Sequence, residues 1–303
     1  MVESLKIENL NTGSVKQFDM AEADYLIYEG SVDWGNAQVD HSTFQFPQQI
    51  GSYITNTIVG SRDVAINGWI IGDNLDEIVA KKKALSTFIN PLNDFKIVVG
   101  QYYIDAKPTS NVVFGKEYTE NNDVAVKFLI QMTCPYPLFV LTNPFTVNVA
   151  NNIGGFHFPL TIPKNGGIIM GYRKQSLFTN ISNFGAIDIG MIVTLTAKAV
   201  VNNPTILNVN THEQLKVNKV MDVGETIVID TSIGTRSIVG IKGEVQVNYL
   251  KYLDYDSVWL QLATGISLLT YKTYDADGNE DETYKNLDIV IQYRTALYNL
   301  EEE

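Results

Sequence analysis

The sequence predicts a mostly β protein with a single helix, built as an α+β first half followed by an all-β second half. Three observations predict it. Only the stretch 74–89 carries apolar residues at helical spacing between a start signal and a stop signal. Nearly every other apolar run alternates with period two, the repeat of a strand with one buried face. The two patterns meet at Cys134-Pro135-Tyr136-Pro137, where two prolines one residue apart fix φ twice and remove two backbone donors. No helix or sheet ladder can run unbroken through that stretch. The expected domains are therefore 1–133 and 141–303, with 134–140 a stiff, extended, Pro-rich junction.

In the first half, strands are expected over 5–10, 25–28, 43–46, 53–59 and 64–71. The helix follows. Asn74 is its N-cap, Glu77 three residues later completes a capping box, and Asp76 sits in the positive first turn. Leu75, Ile78, Val79, Leu85, Phe88 and Ile89 form one apolar stripe suited to lying on a sheet, and Asn90-Pro91 ends the helix. Beyond it, 95–99 and 102–106 form a hairpin about Gly100-Gln101, and 112–117 pairs with 123–132 through a turn at Asn121-Asn122. Along 123–132, Val124, Val126, Phe128, Ile130 and Met132 face one side, Lys127 and Gln131 the other. These are more strands than one small closed sheet requires, so unpaired edges are expected, and such edges are natural assembly surfaces.

The second half shows no helical pattern and no tandem repeat. Strands are expected over 156–162, 191–199, 205–209, 215–220, 226–230, 237–241, 244–249, 258–262, 266–271 and 287–293. Turn signals at Asn202-Asn203-Pro204, Gly224, Gly234, Gly243 and Asp277-Gly278 recur at the spacing of a β-sandwich. A sandwich buries its two sheets against one another, so this half is expected to fold as a monomer, while oligomerisation is expected of 1–133.

With 303 residues, 45% hydrophobic and 18% charged, the chain is globular and long enough for two cores. No apolar run approaches the roughly 20 residues of a bilayer-spanning helix, and Met1 to Lys6 lacks the pattern of a secretory signal, so a soluble protein that folds where it is made is expected. The single cysteine, Cys134, excludes an intrachain disulfide and has no CxxC spacing; it reads as a small, partly buried residue of the junction. The formal charge of −12 is shared by both halves, with 10 Lys and Arg against 17 Asp and Glu through Pro135, then 12 against 17. Such a surface repels phosphate. The cluster Lys81-Lys82-Lys83 reads as the solvated face of the helix.

Nothing in the sequence marks a catalytic centre. His41, His157 and His212 lie far apart, without a second ligand or a carboxylate at useful spacing, and no nucleophile elbow, phosphate loop or zincin helix is present. Carboxylate pairs such as Asp254 and Asp256 carry no mark of a matched acid and base. The run Asp275 to Glu282 alternates carboxylates as calcium sites do, yet lacks the EF-hand order, and reads as a hairpin turn on Asp277-Gly278. The protein is expected to have no catalytic residues, no cofactor and no metal. The sixteen tyrosines fit half-buried surface.

The strand-like run 123–132 leading into Cys134-Pro135-Tyr136-Pro137-Leu138-Phe139, followed by an all-β half, resembles the distal tail protein of siphophage-type bacteriophages. Ile50-Gly51-Ser52, then Arg62-Asp63-Val64-Ala65-Ile66-Asn67-Gly68-Trp69-Ile70-Ile71-Gly72, then a helix ending at Asn90-Pro91, match that family's pattern. The pattern continues through Thr179-Asn180, Gly185-Ala186-Ile187-Asp188, Asn203-Pro204, Gly224 to Asp230 and Asp256 to Leu262. The closing Glu301-Glu302-Glu303 departs from it, since the family pattern has a short apolar end there.

This resemblance implies a tail-tube-like, ring-forming first domain and a galectin-like jelly-roll second domain. It implies a structural component of a phage or prophage virion tail tip, made in the host cytoplasm, whose homo-hexameric ring joins the major tail tube protein to the tail-associated hub or fibre protein. A receptor-binding protein is a further partner it suggests, with DNA passing through the channel unbound and no membrane insertion. Two other readings stand beside it: a glycan-binding β-sandwich module, and a baseplate ring protein of a tail-like bacteriocin. Against the first, the second half lacks the galectin sequence His-x-Asn-x-Arg, and its single tryptophan, Trp259, lies in an alternating run that suits a core or an interface. The acidic balance predicts no binding of duplex DNA at physiological salt, and a salt-sensitive micromolar affinity in a fluorescence titration would contradict it.

Overall fold

The computed structural model describes residues 4–21, 24–48, 50–149 and 178–300, together with the backbone of 152–154 and 171–173. The chain forms two compact units, a first that ends at Thr142 and is rejoined at Leu297, and a second, Asn143–Ala296.

The first unit contains β1 (Ser4–Asn9), β2 (Val15–Asp19), β3 (Tyr25–Leu26), β4 (Val32–Asp33), β5 (Val39–Phe44), β6 (Tyr53–Val59), β7 (Arg62–Ile71), α1 (Leu75–Phe88), β8 (Phe95–Val99), β9 (Tyr102–Pro108), β10 (Val113–Phe114), β11 (Ala125–Cys134) and β12 (Phe139–Leu141). Strands β11-β7-β3-β2-β1-β8-β9 follow one another in the sheet, and β9 pairs back onto β11 at Met132↔Pro108 and Thr133↔Lys107, closing the sheet into a barrel. The unpaired edges expected from the strand count are thereby used up, because closure gives both terminal strands a partner. β2 and β3 pair in parallel, at Asp19↔Leu26. Alternate residues of the strands fill the core: Leu5 and Ile7, Ile66 and Ile70, Phe128 and Ile130 are all essentially inaccessible.

The helix begins as its cap signals predict. Asn74 Oδ1 accepts from the Glu77 amide at 3.0 Å, and Glu77 Oε2 reaches back to the Asp73 amide at 2.9 Å. Ile78, Leu85 and Phe88 enter the core, but Leu75 and Val79, expected in the same stripe, are 53% and 54% exposed. A helix resting on a barrel wall covers only a narrow stripe, and these two residues, one turn apart, lie beside it. Lys81 is likewise no solvated residue: its ammonium pairs with Glu77 at 2.7 Å and Asp24 at 2.8 Å and donates to the Ile71 carbonyl at 2.7 Å. Burial works against its charge, yet the bonds to Asp24 and Glu77 outweigh it and hold the pKa above that of a free lysine.

Pro135 and Pro137 occupy the bend between β11 and β12, where missing donors cost no ladder bond. The first unit runs on past the expected boundary, since Phe139–Leu141 pairs with β9 and Cys134 and Phe139 are fully buried in its core. One tight point is Gly68, opposite Phe128 in the β7–β11 ladder. A Cβ there would stand 2.5 Å from Phe128 Cζ and closer still to the Leu26 carbonyl oxygen. The Phe128 ring sits at this point because it packs on Phe18 at 5.8 Å and Tyr25 at 6.4 Å. Gly68→Ala is expected to destabilise the protein by about 1–3 kcal/mol through overpacking, read as a lower urea midpoint at unchanged slope.

The second unit comprises β13 (Phe145–Asn148), β14 (Asn152–Gly154), β15 (Gly171–Arg173), β16 (Thr179–Asn183), β17 (Ile192–Ala197), β18 (Val201–Asn202), β19 (Thr205–Asn208), β20 (Gln214–Lys216), β21 (Val220–Met221), β22 (Thr226–Asp230), β23 (Ser237–Lys242), β24 (Val245–Asn248), β25 (Gly265–Lys272) and β26 (Leu287–Tyr293). After it comes β27 (Ala296–Leu297), which lies next to β12 in the first unit's sheet. A six-stranded sheet, β13-β26-β17-β22-β23-β24, and a four-stranded one, β16-β25-β19-β20, share one core. Val193, Ile229 and Ile289 come from the first sheet, Ile181, Ile206 and Leu269 from the second. This is the sandwich that the strand spacing predicts. The expected strand over 258–262 is instead irregular, held by the bridge Ile189↔Leu262 and by the Val258 amide, which donates to the Gln214 carbonyl at 2.8 Å. Leu250–Tyr252 and Thr283–Asn286 are single 3-10 turns. The strand expected over 156–162 lies outside the described residues.

A buried carboxylate ties one end of the sandwich. Glu225, 1% exposed, accepts from Lys219 Nζ at 2.9 Å, the Tyr249 hydroxyl at 2.8 Å and the Asp222 amide at 2.9 Å. Burial opposes its charge, but these three donors prevail and hold its pKa below the usual glutamate range; the same burial and bond push Tyr249 up to about 12. A carboxylate whose pKa is lowered by folding stabilises the protein above its unfolded value, near 4.3, and that contribution fades as pH falls through the folded value. Thermal melts of wild type should therefore lose stability below about pH 4, and Glu225→Gln should lower stability at pH 7 while flattening that acid limb.

Candidate assembly surface

Strands β5 and β6 belong to no core. They form a separate two-stranded ribbon, paired from Val39↔Val59 to Phe44↔Tyr53, and every described residue from 39 to 59 is exposed. At about 3.3 Å per residue, the seven residues of β6 reach about 20 Å. A bulge between Ser42 and Thr43 is closed by the Thr55 hydroxyl, which donates to the Ser42 carbonyl at 3.0 Å. The turn uses left-handed backbone at Gln48 and Gly51, with φ of 66° and 88°.

The ribbon's side chains are unlike the rest of the surface. Residues 39–59 contain one carboxylate, Asp40, and no lysine or arginine, in a chain of net charge −12. Because the bulge shifts the register, Tyr53 of β6 shares one face with Ile58, and Ile54 shares the other with Val59, so both faces are apolar. Phe44 and Phe46 meet edge to face at 4.8 Å, and each stays at least half exposed. An isolated ribbon of this kind is marginal in water, and an uncharged, β-branched and aromatic strand pair is a surface for another chain to cover.

The root of the ribbon is rigid. Gln38 and Ser61, and Gly60 and Gln38, exchange backbone bonds of 3.1 and 2.8 Å. Gly35 has φ of 56°, donates to Asp33 Oδ1 at 2.9 Å, and leaves no room for a Cβ against the Asp63 carbonyl oxygen. Trp34 beside it packs edge-on against the buried Phe139 at 5.2 Å. The ribbon is thus anchored in the core at its base and exposed along its length.

The residues that carried rival chemistries have structural work instead. His41 lies on the ribbon, its Nδ1 3.0 Å from the Thr57 hydroxyl, and His212 occupies a turn at φ of 60°. His157 lies outside the described residues. Asp254 accepts from Asn218 Nδ2 at 2.7 Å and the Asp256 amide at 3.1 Å, which hold its pKa low. In the acidic run, the Asp275 carboxylate takes the amides of Asp277 and Asn279 at 3.0 and 2.8 Å, Glu280 pairs with Lys272, and Asp281 accepts from Thr273, Thr283 and Asn202. Among the described residues no three His, Cys, Asp or Glu side chains are placed to hold a metal ion. Trp259 packs against the second core, with the Arg236 guanidinium 5.8 Å over its ring, and is not an open stacking platform. Cys134 is fully buried rather than partly so, and burial pushes its thiol up to about 12, leaving it unreactive.

Sequence reasoning located strands at 43–46 and 53–59 but not their departure from the core. The available signal was the charge-poor composition of 39–59, which periodicity does not register.

The fold is a closed barrel bearing a two-stranded ribbon, followed along the chain by a β-sandwich. Residues 25–134 match the family model of the phage tail protein RIFT-related domain, and residues 184–286 that of the siphovirus-type tail component, C-terminal domain. The chain belongs to the distal tail protein family of siphophages, the structural components of tail tip and baseplate. Among solved structures, the Dit protein of phage SPP1, described as a paradigm of the hub adsorption apparatus in phages infecting Gram-positive bacteria, has the same fold, with a TM-score of 0.65 at 11% identity over 96% of this chain and 98% of that one. A chain of the phage P2 baseplate in its activated conformation superposes with a TM-score of 0.50 at 15% identity, over 96% and 98%. No curated protein sequence matches this chain. No helix among the described residues is long and apolar enough to cross a membrane.

Proposed function

We propose that this protein forms a hexameric ring at the virion tail tip, joining the major tail tube protein to the hub or fibre protein beneath it and letting DNA pass without holding it. The β5–β6 ribbon carries this reading. A closed ring requires a heterologous contact, in which one patch of each copy covers a different patch of the next. The barrel offers no free edge among its ring of strands for such a contact, whereas the ribbon offers an apolar, nearly uncharged surface on a rigid base. The acidic balance of both halves suits a channel that a polyanion traverses without sticking. The second unit, self-sufficient in its own core, serves as the outward docking arm for other baseplate proteins, a receptor-binding protein included.

Native mass spectrometry and electron microscopy of the full chain test this against a variant in which residues 39–59 are replaced by a short Gly-Ser turn between Gln38 and Gly60. Rings of six are expected from the full chain, and a folded monomer of nearly unchanged melting temperature from the variant. Rings formed without the ribbon, or a full chain monomeric at high concentration, would refute the reading.

A further inference from the structure

Leu75 and Val79 leave the core on the flank of α1 that also carries Lys82, whereas the flank of Glu77 and Lys81 is tied to Asp24 and to the Ile71 carbonyl. The Lys82 ammonium lies 5.0 Å over the ring of Phe114 in β10. Three residues before Leu75, the Gly72 amide donates to the Val124 carbonyl at 3.0 Å. The flank therefore runs alongside the β10–β11 hairpin, with Val124 beside its start and Phe114 beside Lys82. Two lengths agree with this: Leu75 to Lys82 covers about 10 Å of helix, and Val124 to Phe128, the residue opposite Phe114, about 13 Å of extended chain. Leu75, Val79 and Val124 are each more than half exposed, so the result is an open apolar strip with one cation at its end. Lys82 forms no ion pair among the described residues.

The ribbon presents the counterpart. One of its faces carries Phe44, Tyr53 and Ile58 together with Asp40, the single carboxylate of 39–59. Asp40 also forms no ion pair among the described residues, and Asp40 to Phe44 covers about 13 Å, the length of the strip. A ribbon so poor in charge can lie on apolar side chains without leaving a buried charge unpaired. Within one copy the ribbon and the strip are both exposed, so neither covers the other. The ribbon leaves the barrel at the Arg62 end of β7 and the strip lies at the Ile71 end, about 30 Å along the strand. Two different patches at opposite ends of one strand suit a heterologous contact.

We propose that the strip of Leu75, Val79, Val124 and Lys82 receives the β5–β6 ribbon of the next copy of this chain. One copy's Asp40 meets the other's Lys82, and Phe44, Tyr53 and Ile58 cover the apolar residues. This rests on the ribbon reading above and adds the patch that the ribbon covers.

Native mass spectrometry of full-length variants tests it. In Val79→Glu the new carboxylate stands four residues before Lys83, a favourable pair on an exposed helix, so the melting temperature should hold while rings are lost even at about a hundred times the wild-type assembly concentration. Mixed at that concentration with the variant lacking residues 39–59, it should give a 1:1 complex, because one protein keeps the ribbon and the other the strip. Asp40→Lys should weaken rings at least tenfold, and adding Lys82→Asp should restore them to within about threefold. Rings from Val79→Glu beside a monomeric ribbonless variant would overturn the strip and leave the ribbon reading standing, whereas rings from the ribbonless variant would overturn both. A missing mixed complex, or a charge swap that restores nothing, would also overturn the strip.

Discussion

The pairing of β9 with β11 is the constraint on which the first unit depends. Two short contacts, Met132↔Pro108 and Thr133↔Lys107, turn an open run of strands into a closed one and satisfy backbone groups that would otherwise face water. The β7–β11 ladder, one wall of that barrel, sets Cys134 opposite Arg62, and the buried Phe139 ring lies over the Arg62 guanidinium. Closure also dictates where assembly surface can lie. With the ring of strands sealed, the surplus strands β5 and β6 leave the barrel as a ribbon and carry their apolar residues with them.

The ribbon's composition and its anchorage point the same way. Elsewhere the chain keeps itself dispersed by charge, and self-repulsion of an acidic surface opposes casual association. Along 39–59 that protection is nearly absent, while the base is fixed by Gly35, Gln38 and Ser61 to the barrel. A flexible sticky loop would bind without geometry. A stiff one sets both partner and angle.

In the second unit, polar side chains that a motif search would flag as chemistry act as ties. Glu225 joins Lys219 and Tyr249, and Asn183 donates to the carbonyls of Ile187 and Leu262 at 2.8 and 3.1 Å while accepting from the Gly185 amide at 2.9 Å. Satisfied networks of this kind specify one packing of the sandwich.

Elements whose signals are local were legible in the sequence. The helix starts at its Asn74 cap, the hairpin of β8 and β9 turns at Gly100, and β26 runs from Leu287 to Tyr293, as periodicity and turn chemistry predict. Period two also disclosed that the second half is a sandwich, because each strand must bury one face. It could not tell which strands pair. That choice is made by packing between residues far apart in sequence, so barrel closure, the exposure of Leu75 and Val79, the fully buried Cys134 and the return of the chain's closing residues to the first unit were decided only in the tertiary structure. The projecting ribbon belongs with them: a strand that leaves the core reads, residue by residue, like one that stays in it, until the sheet that would have held it is already full.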